Sequence, residues 1–134
     1  MNAAINRAVP VVIDGEEFEM LLTTKAAADI DRELGGFDEI AAVVDGEDRT
    51  ASVAMASKLI ALLCNAGTER YNYRHRDGKN GMLDAPRRMI DAEEIGIVTT
   101  PGEMEELLHS AVEAVKRGRT TYIESEKNPG DEKN

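Results

Sequence analysis

The fifteen residues ASVAMASKLIALLCN, positions 51–65, decide the fold. Placed at 100° per residue, Val53, Met55, Leu59, Ile60, Leu62, Leu63 and Cys64 sweep an apolar arc of roughly 200°, about twice what a surface helix needs. The other side carries Ala54, Ser57, Lys58 and Ala61. That pattern predicts a core helix wrapped by neighbours, with one narrow wet stripe through Lys58. The stretch is too short and too interrupted to span a bilayer. The rest of the chain is expected to pack around it.

Upstream, residues 9–22 read as a β-hairpin. Asp14-Gly15 is a two-residue turn signal, because glycine tolerates φ > 0. Closing the loop there pairs Val11 with Phe18 and Val9 with Met20 on an apolar face. Val12 with Glu17, and Pro10 with Glu19, fall on a wet one. Two strands alone are marginal in water, so the hairpin must lie on helices or join another chain's sheet. Its free edge also makes pairing with a second copy of the chain an option.

Thr23-Thr24 offers an N-cap for a helix over 25–34 that buries Ala26, Ala27, Ile30 and Leu34 and stops at Gly35-Gly36. A shorter helix over 37–44 turns Phe37, Ile40, Ala41 and Val44 inward. Thr50 or Ser52 can cap the central helix, which runs to about residue 73 although Gly67 weakens it by about 1 kcal/mol against alanine. Residues 77–81 form a loop. Residues 82–91 show no clear pattern. A short helix follows Asp91 through residue 98, with Ile95 and Val98 inward. Pro101, capped by Thr99 or Thr100, opens a last helix to residue 117. Met104, Leu107, Leu108, Ala111, Val112 and Val115 form its apolar stripe, and Gly118 ends it. The expected architecture is mostly α with a small N-terminal β-hairpin, an α+β domain over 9–118. Residues 1–8 are expected to be a flexible start and 119–134 a disordered, polar tail.

Composition narrows the function. The formal charge of −10 argues against a general nucleic-acid or anionic-membrane binder. No apolar run near the start resembles a signal peptide, which points to the cytoplasm. The lone Cys64 cannot form an internal bridge. His75 and His109 lie in different segments without ligand-spaced partners, so no metal and no cofactor is expected. No nucleophile elbow or phosphate-binding glycine loop is present, and the adjacent pairs Glu93-Glu94 and Glu105-Glu106 diverge on a helix. Catalytic residues are therefore not expected. A small hydrolase would instead need a strongly perturbed carboxylate in a pocket.

The densest local feature is RYNYRHRDGK, positions 70–79, with four cations, a histidine and two tyrosines. It fits a helix end complementing its dipole. It also fits a basic docking edge for an acidic protein, or a small regulatory nucleic-acid-binding site built on Arg70, Arg74, Arg76 and Lys79.

Taken together, the strand Phe18 to Leu22, Thr24 at the cap, Ile30 and Leu34 before Gly35-Gly36, and Phe37 with Ile40 after it make a pattern. Ile95, Leu107, Ala111, Val115 and Gly118 continue it. In this the chain resembles the tail assembly chaperones of long-tailed bacteriophages and prophages. The resemblance implies a protein of the bacterial host cytoplasm that coats the tape measure protein, keeps it soluble, and leaves as tail tube subunits arrive. Binding would be helix-in-groove. The docking residues expected are Phe18, Met20, Met55, Leu62, Arg70, Tyr73 and Arg74. Many members are made in two lengths by a programmed ribosomal frameshift. Here Glu126-Lys127-Asn128 and Glu132-Lys133-Asn134 can each be encoded by a slippery A AAA AAC.

Overall fold

The hairpin closes where the sequence places it. In the computed structural model, which describes residues 6–76 and 86–120, Asp14 and Gly15 take φ of 52° and 81°. This left-handed pair matches the twist of the flanking strands. Strands β1 (Val9–Ile13) and β2 (Glu16–Met20) pair antiparallel in the expected register, Val9 with Met20 and Val11 with Phe18. Val9, Val11, Ile13, Phe18 and Met20 turn inward, while Pro10, Val12, Glu17 and Glu19 face out. Among the described residues five helices follow: α1 (Thr24–Leu34), α2 (Phe37–Val44), α3 (Arg49–Arg74), α4 (Ala92–Val98) and α5 (Pro101–Arg119). The fold is mostly helical with a two-stranded N-terminal hairpin. The loop at 77–81, residues 82–85 and both slippery-codon sites lie outside the described residues, as do residues 1–5.

Four of these helices start at a polar cap, whereas α2 starts at Gly36 with no side-chain cap. Thr23 accepts from the Ala26 N–H, and Asp91 from the Glu94 N–H. Thr100 and Glu103 form a reciprocal capping box ahead of Pro101. At α3 the cap is Asp48, which accepts from the Ala51 N–H at 3.1 Å, rather than Thr50 or Ser52. Ser52 instead donates its hydroxyl to the Val44 carbonyl, tying the start of α3 to the end of α2.

Helix α3 contacts β2, α1, α2, α4 and α5. Ile60, Leu63 and Cys64 are fully buried on it. The expected wet stripe is narrower than the apolar pattern suggests. Ser57 and Ala61 are buried, and Val53, expected inside, is 43% exposed. Small side chains let neighbours approach closely, so the helix is covered on its Ala/Ser side too. By length and composition alone α3 could cross a membrane, contrary to the expectation drawn from fifteen residues. Half of its most apolar window is nonetheless buried by its own neighbours, as in any core helix.

Gly67 does not interrupt α3; it admits the hairpin. A Cβ at this position would lie 1.9 Å from the Glu19 carbonyl oxygen. One turn earlier, the Leu21 N–H donates to the Leu63 carbonyl at 3.1 Å. Strand β2 therefore runs against bare helix backbone. A similar contact corrects the end of α5. Gly118 lies inside the helix, where a Cβ would sit 2.6 Å from that of Leu22. The buried seam of α5 is Leu107, Ala111 and Ala114, continued by Gly118, while Val112 is 52% exposed. The small residues decide which side of α5 can come close.

Candidate docking surface

Lys58, Ala61, Leu62 and Asn65 recur at three- and four-residue steps, so they share one stripe of α3. They form one wall of a groove of about 410 Å³. The C-terminal end of α1 supplies Glu33 and Leu34, and Ile90, Asp91 and Ala92 close the other side. Leu62 is half-buried, and Met55, also half-buried, lies two turns earlier on the same stripe. The floor is thus apolar and the rim charged, with Glu33 and Asp91 outnumbering Lys58.

Asn65 builds the far wall. Its amide nitrogen donates to the Ile90 carbonyl at 2.7 Å, and its oxygen accepts from the Ile90 N–H at 2.8 Å. Two turns on, Asn72 repeats the arrangement with Arg87 at 3.0 and 2.8 Å. These two amides hold the chain leading to α4 against α3 as a strand neighbour would. Arg88 adds a bridge, reaching Glu16 on β2 and Glu94 on α4. None of this was visible in the unpatterned stretch 82–91, because an asparagine inside a helix carries no local sign of a distant backbone partner. Its only signal is the repeat of asparagine after seven residues. Replacing Asn65 with alanine is expected to cost about 2 kcal/mol, since two part-buried backbone groups lose their partners. Urea unfolding measures it, and a change below about 0.5 kcal/mol, the range of an ordinary surface substitution, would remove the clip from the fold's energetics.

The structure separates the expected docking residues. Phe18 and Met20 are 5% and 0% exposed. They belong to the core, because the apolar face of the hairpin is spent on packing inside the molecule. Leu62 lines the groove. Arg70 and Arg74 line a different pocket, with Arg7, Tyr71 and His75. Tyr73 is 67% exposed, with the Arg76 guanidinium 3.9 Å from its ring centre. His75 stacks on Tyr71 at 3.9 Å, and Arg87 lies 3.5 Å from the same ring. Lys79 is outside the described residues. A wider cleft of about 720 Å³ lies over the hairpin between Glu17, Glu19, Arg87 and Arg88.

Among the described residues no three His, Cys, Asp or Glu side chains gather as a metal site. Burial pushes the Cys64 thiol up to about 12, so it stays protonated at neutral pH. Asp29 is held below the usual carboxylate range by its hydrogen bonds to Arg32 and Lys25, and Glu94 by Arg88. Both are surface ion pairs rather than groups poised in a cleft. Compared with family models, with curated proteins and with solved structures, the chain has no match.

Proposed function

We propose that this protein is a tail assembly chaperone of the long-tailed phage kind, binding the tape measure protein until the tail tube closes around it. The observation that carries this reading is the groove between α1, α3 and α4. Its apolar floor is offered chiefly by half-buried Leu62, with Leu34, Ala61 and Ile90 nearly covered beneath it, and its rim carries mixed charge. An amphipathic helix presents apolar side chains at the spacing such a groove accepts. The acidic rim favours a partner helix with basic flanks, and the charge of −10 keeps a coated, otherwise apolar rod dispersed. Apolar burial without a covalent step also suits a partner that must later give way to tube subunits.

Co-expression with the tape measure protein of the same genome tests the proposal. The tape measure is expected to move from the insoluble to the soluble fraction and to co-purify with this chain. A tape measure that stays insoluble, or is soluble alone and never co-purifies, would refute it. The same genome supplies a second check. A slippery heptamer at one or both Glu-Lys-Asn sites is expected, and GAG AAG codons at both would remove this argument for a frameshifted longer form.

A further inference from the structure

The pocket at the basic end of α3 has a composition the chain otherwise avoids. Arg7, Arg70 and Arg74 line about 440 Å³ of space together with Tyr71 and His75. Among the described cations Lys25, Arg32, Arg88 and Arg117 have a carboxylate partner, while Arg49, Lys58, Arg87, Lys116 and Arg119 do without, each in a different setting from this pocket. Among the described residues Arg7, Arg70 and Arg74 have none, although Glu19 lines the same pocket. The Nε of Arg7 is buried without a hydrogen-bond partner. A buried guanidinium N–H left unpaired is costly and calls for an explanation.

Helix-end electrostatics explain only part of the cluster. Cations in the last turn complement the dipole, which covers Arg74. Arg70 sits a turn deeper, and Arg7 belongs to no helix. Arg7 is brought there by Arg117 of α5, whose guanidinium donates to the carbonyls of Asn6 and Ala8 at 3.3 and 3.0 Å. Backbone on both sides of Arg7 is therefore held while its side chain reaches the end of α3. Like charges four residues apart on a helix, as Arg70 and Arg74 are, repel unless something negative lies between them.

We propose that this pocket binds a phosphate-type dianion, either free phosphate or a phosphate monoester. Guanidinium forks match tetrahedral oxyanions. Three guanidinium charges suit a dianion better than a single carboxylate, which would leave two of them without a counter-charge. The cations converge on one pocket rather than forming a row, and the chain as a whole repels polyanions, so a nucleic-acid backbone fits less well. The site shares no residue with the groove, so it stands or falls independently of the tape measure reading.

Isothermal titration of the full chain at fixed ionic strength tests the site, using inorganic phosphate, glycerol phosphate, succinate and an oligothymidylate. Saturable heat is expected from phosphate or glycerol phosphate, and the stronger of the two identifies the source. The exposed pair R70Q/R74Q, and separately R7Q, should each weaken binding by about tenfold or more. R32Q, on another surface, should leave it unchanged. Circular dichroism would confirm that the variants remain folded. No saturable heat from either phosphate, equal binding by folded R70Q/R74Q, stronger binding of succinate, or stronger binding of the oligothymidylate would each overturn the proposal.

Discussion

Gly67→Ala is expected to destabilise the protein by about 3 kcal/mol or more, at or above the upper end of what overpacking costs. Helix propensity alone gives the opposite sign, since alanine is favoured over glycine in a helix interior by about 1 kcal/mol. The packing term wins because of distance. The new methyl would meet the Glu19 carbonyl oxygen at 1.9 Å, and that oxygen belongs to backbone rather than to a flexible side-chain end. Relief requires β2 to move away from α3 by more than about an ångström, given ordinary contacts near 3.5 Å. Such a shift strains the Leu21–Leu63 hydrogen bond and loosens Phe18 and Met20 from the core. Gly96→Ala in α4 is the control. Nothing lies within 4 Å of a Cβ there, so it should be neutral or stabilise by up to about 1 kcal/mol. Urea unfolding of both variants measures the difference. A stabilised Gly67→Ala would mean that the hairpin does not lie against bare helix.

Leu62→Asp is expected to weaken binding of the tape measure protein by about 100-fold, the effect of losing a central apolar anchor worth roughly 3 kcal/mol. The substitution removes apolar surface from the groove floor and adds a third carboxylate beside Glu33 and Asp91. A basic-flanked partner helix would gain Coulomb energy from that charge, but would have to bury it against its own apolar face, and the desolvation penalty dominates. Leu62 is only half-buried in the free protein, so the fold should survive. Leu62→Ala should fall between wild type and Leu62→Asp. Affinity measured by titration, with thermal unfolding alongside, separates a binding defect from a folding defect. Undiminished binding by a folded Leu62→Asp would move the partner elsewhere.

Sequence logic recovered the hairpin register because Asp14-Gly15 leaves a two-residue loop little choice, and the strand period then assigns every face. It recovered the helices because Thr23, Asp91 and Thr100-Pro101 are local start signals beside periodic apolar residues. It failed where distant backbone decides the outcome. Gly67 and Gly118 read as a weak point and a stop, yet both are contact points for residues far away along the chain. Asn65 and Asn72 gave no local hint of the segment they clip.

The docking surface was legible only in part, for a related reason. An apolar side chain needs a partner but does not say whether the partner lies in the same chain. Phe18 and Met20 found theirs inside; Leu62 and Met55 are only half covered. Arg70 and Arg74 could be picked out as a cluster from their spacing. Arg7, which completes their pocket, has no local pattern and is delivered by Arg117.

Hydrogen exchange of the chain alone and in complex with the tape measure protein puts the α1–α3–α4 groove to the most direct test. Binding should slow exchange at 90–92 and at the end of α1 around Leu34, while the outer face of the hairpin stays unchanged. The stripe 58–65, already slow inside α3, should gain protection chiefly where the free helix opens. A footprint confined to the hairpin, or to the basic end of α3 with the groove unaltered, would contradict it.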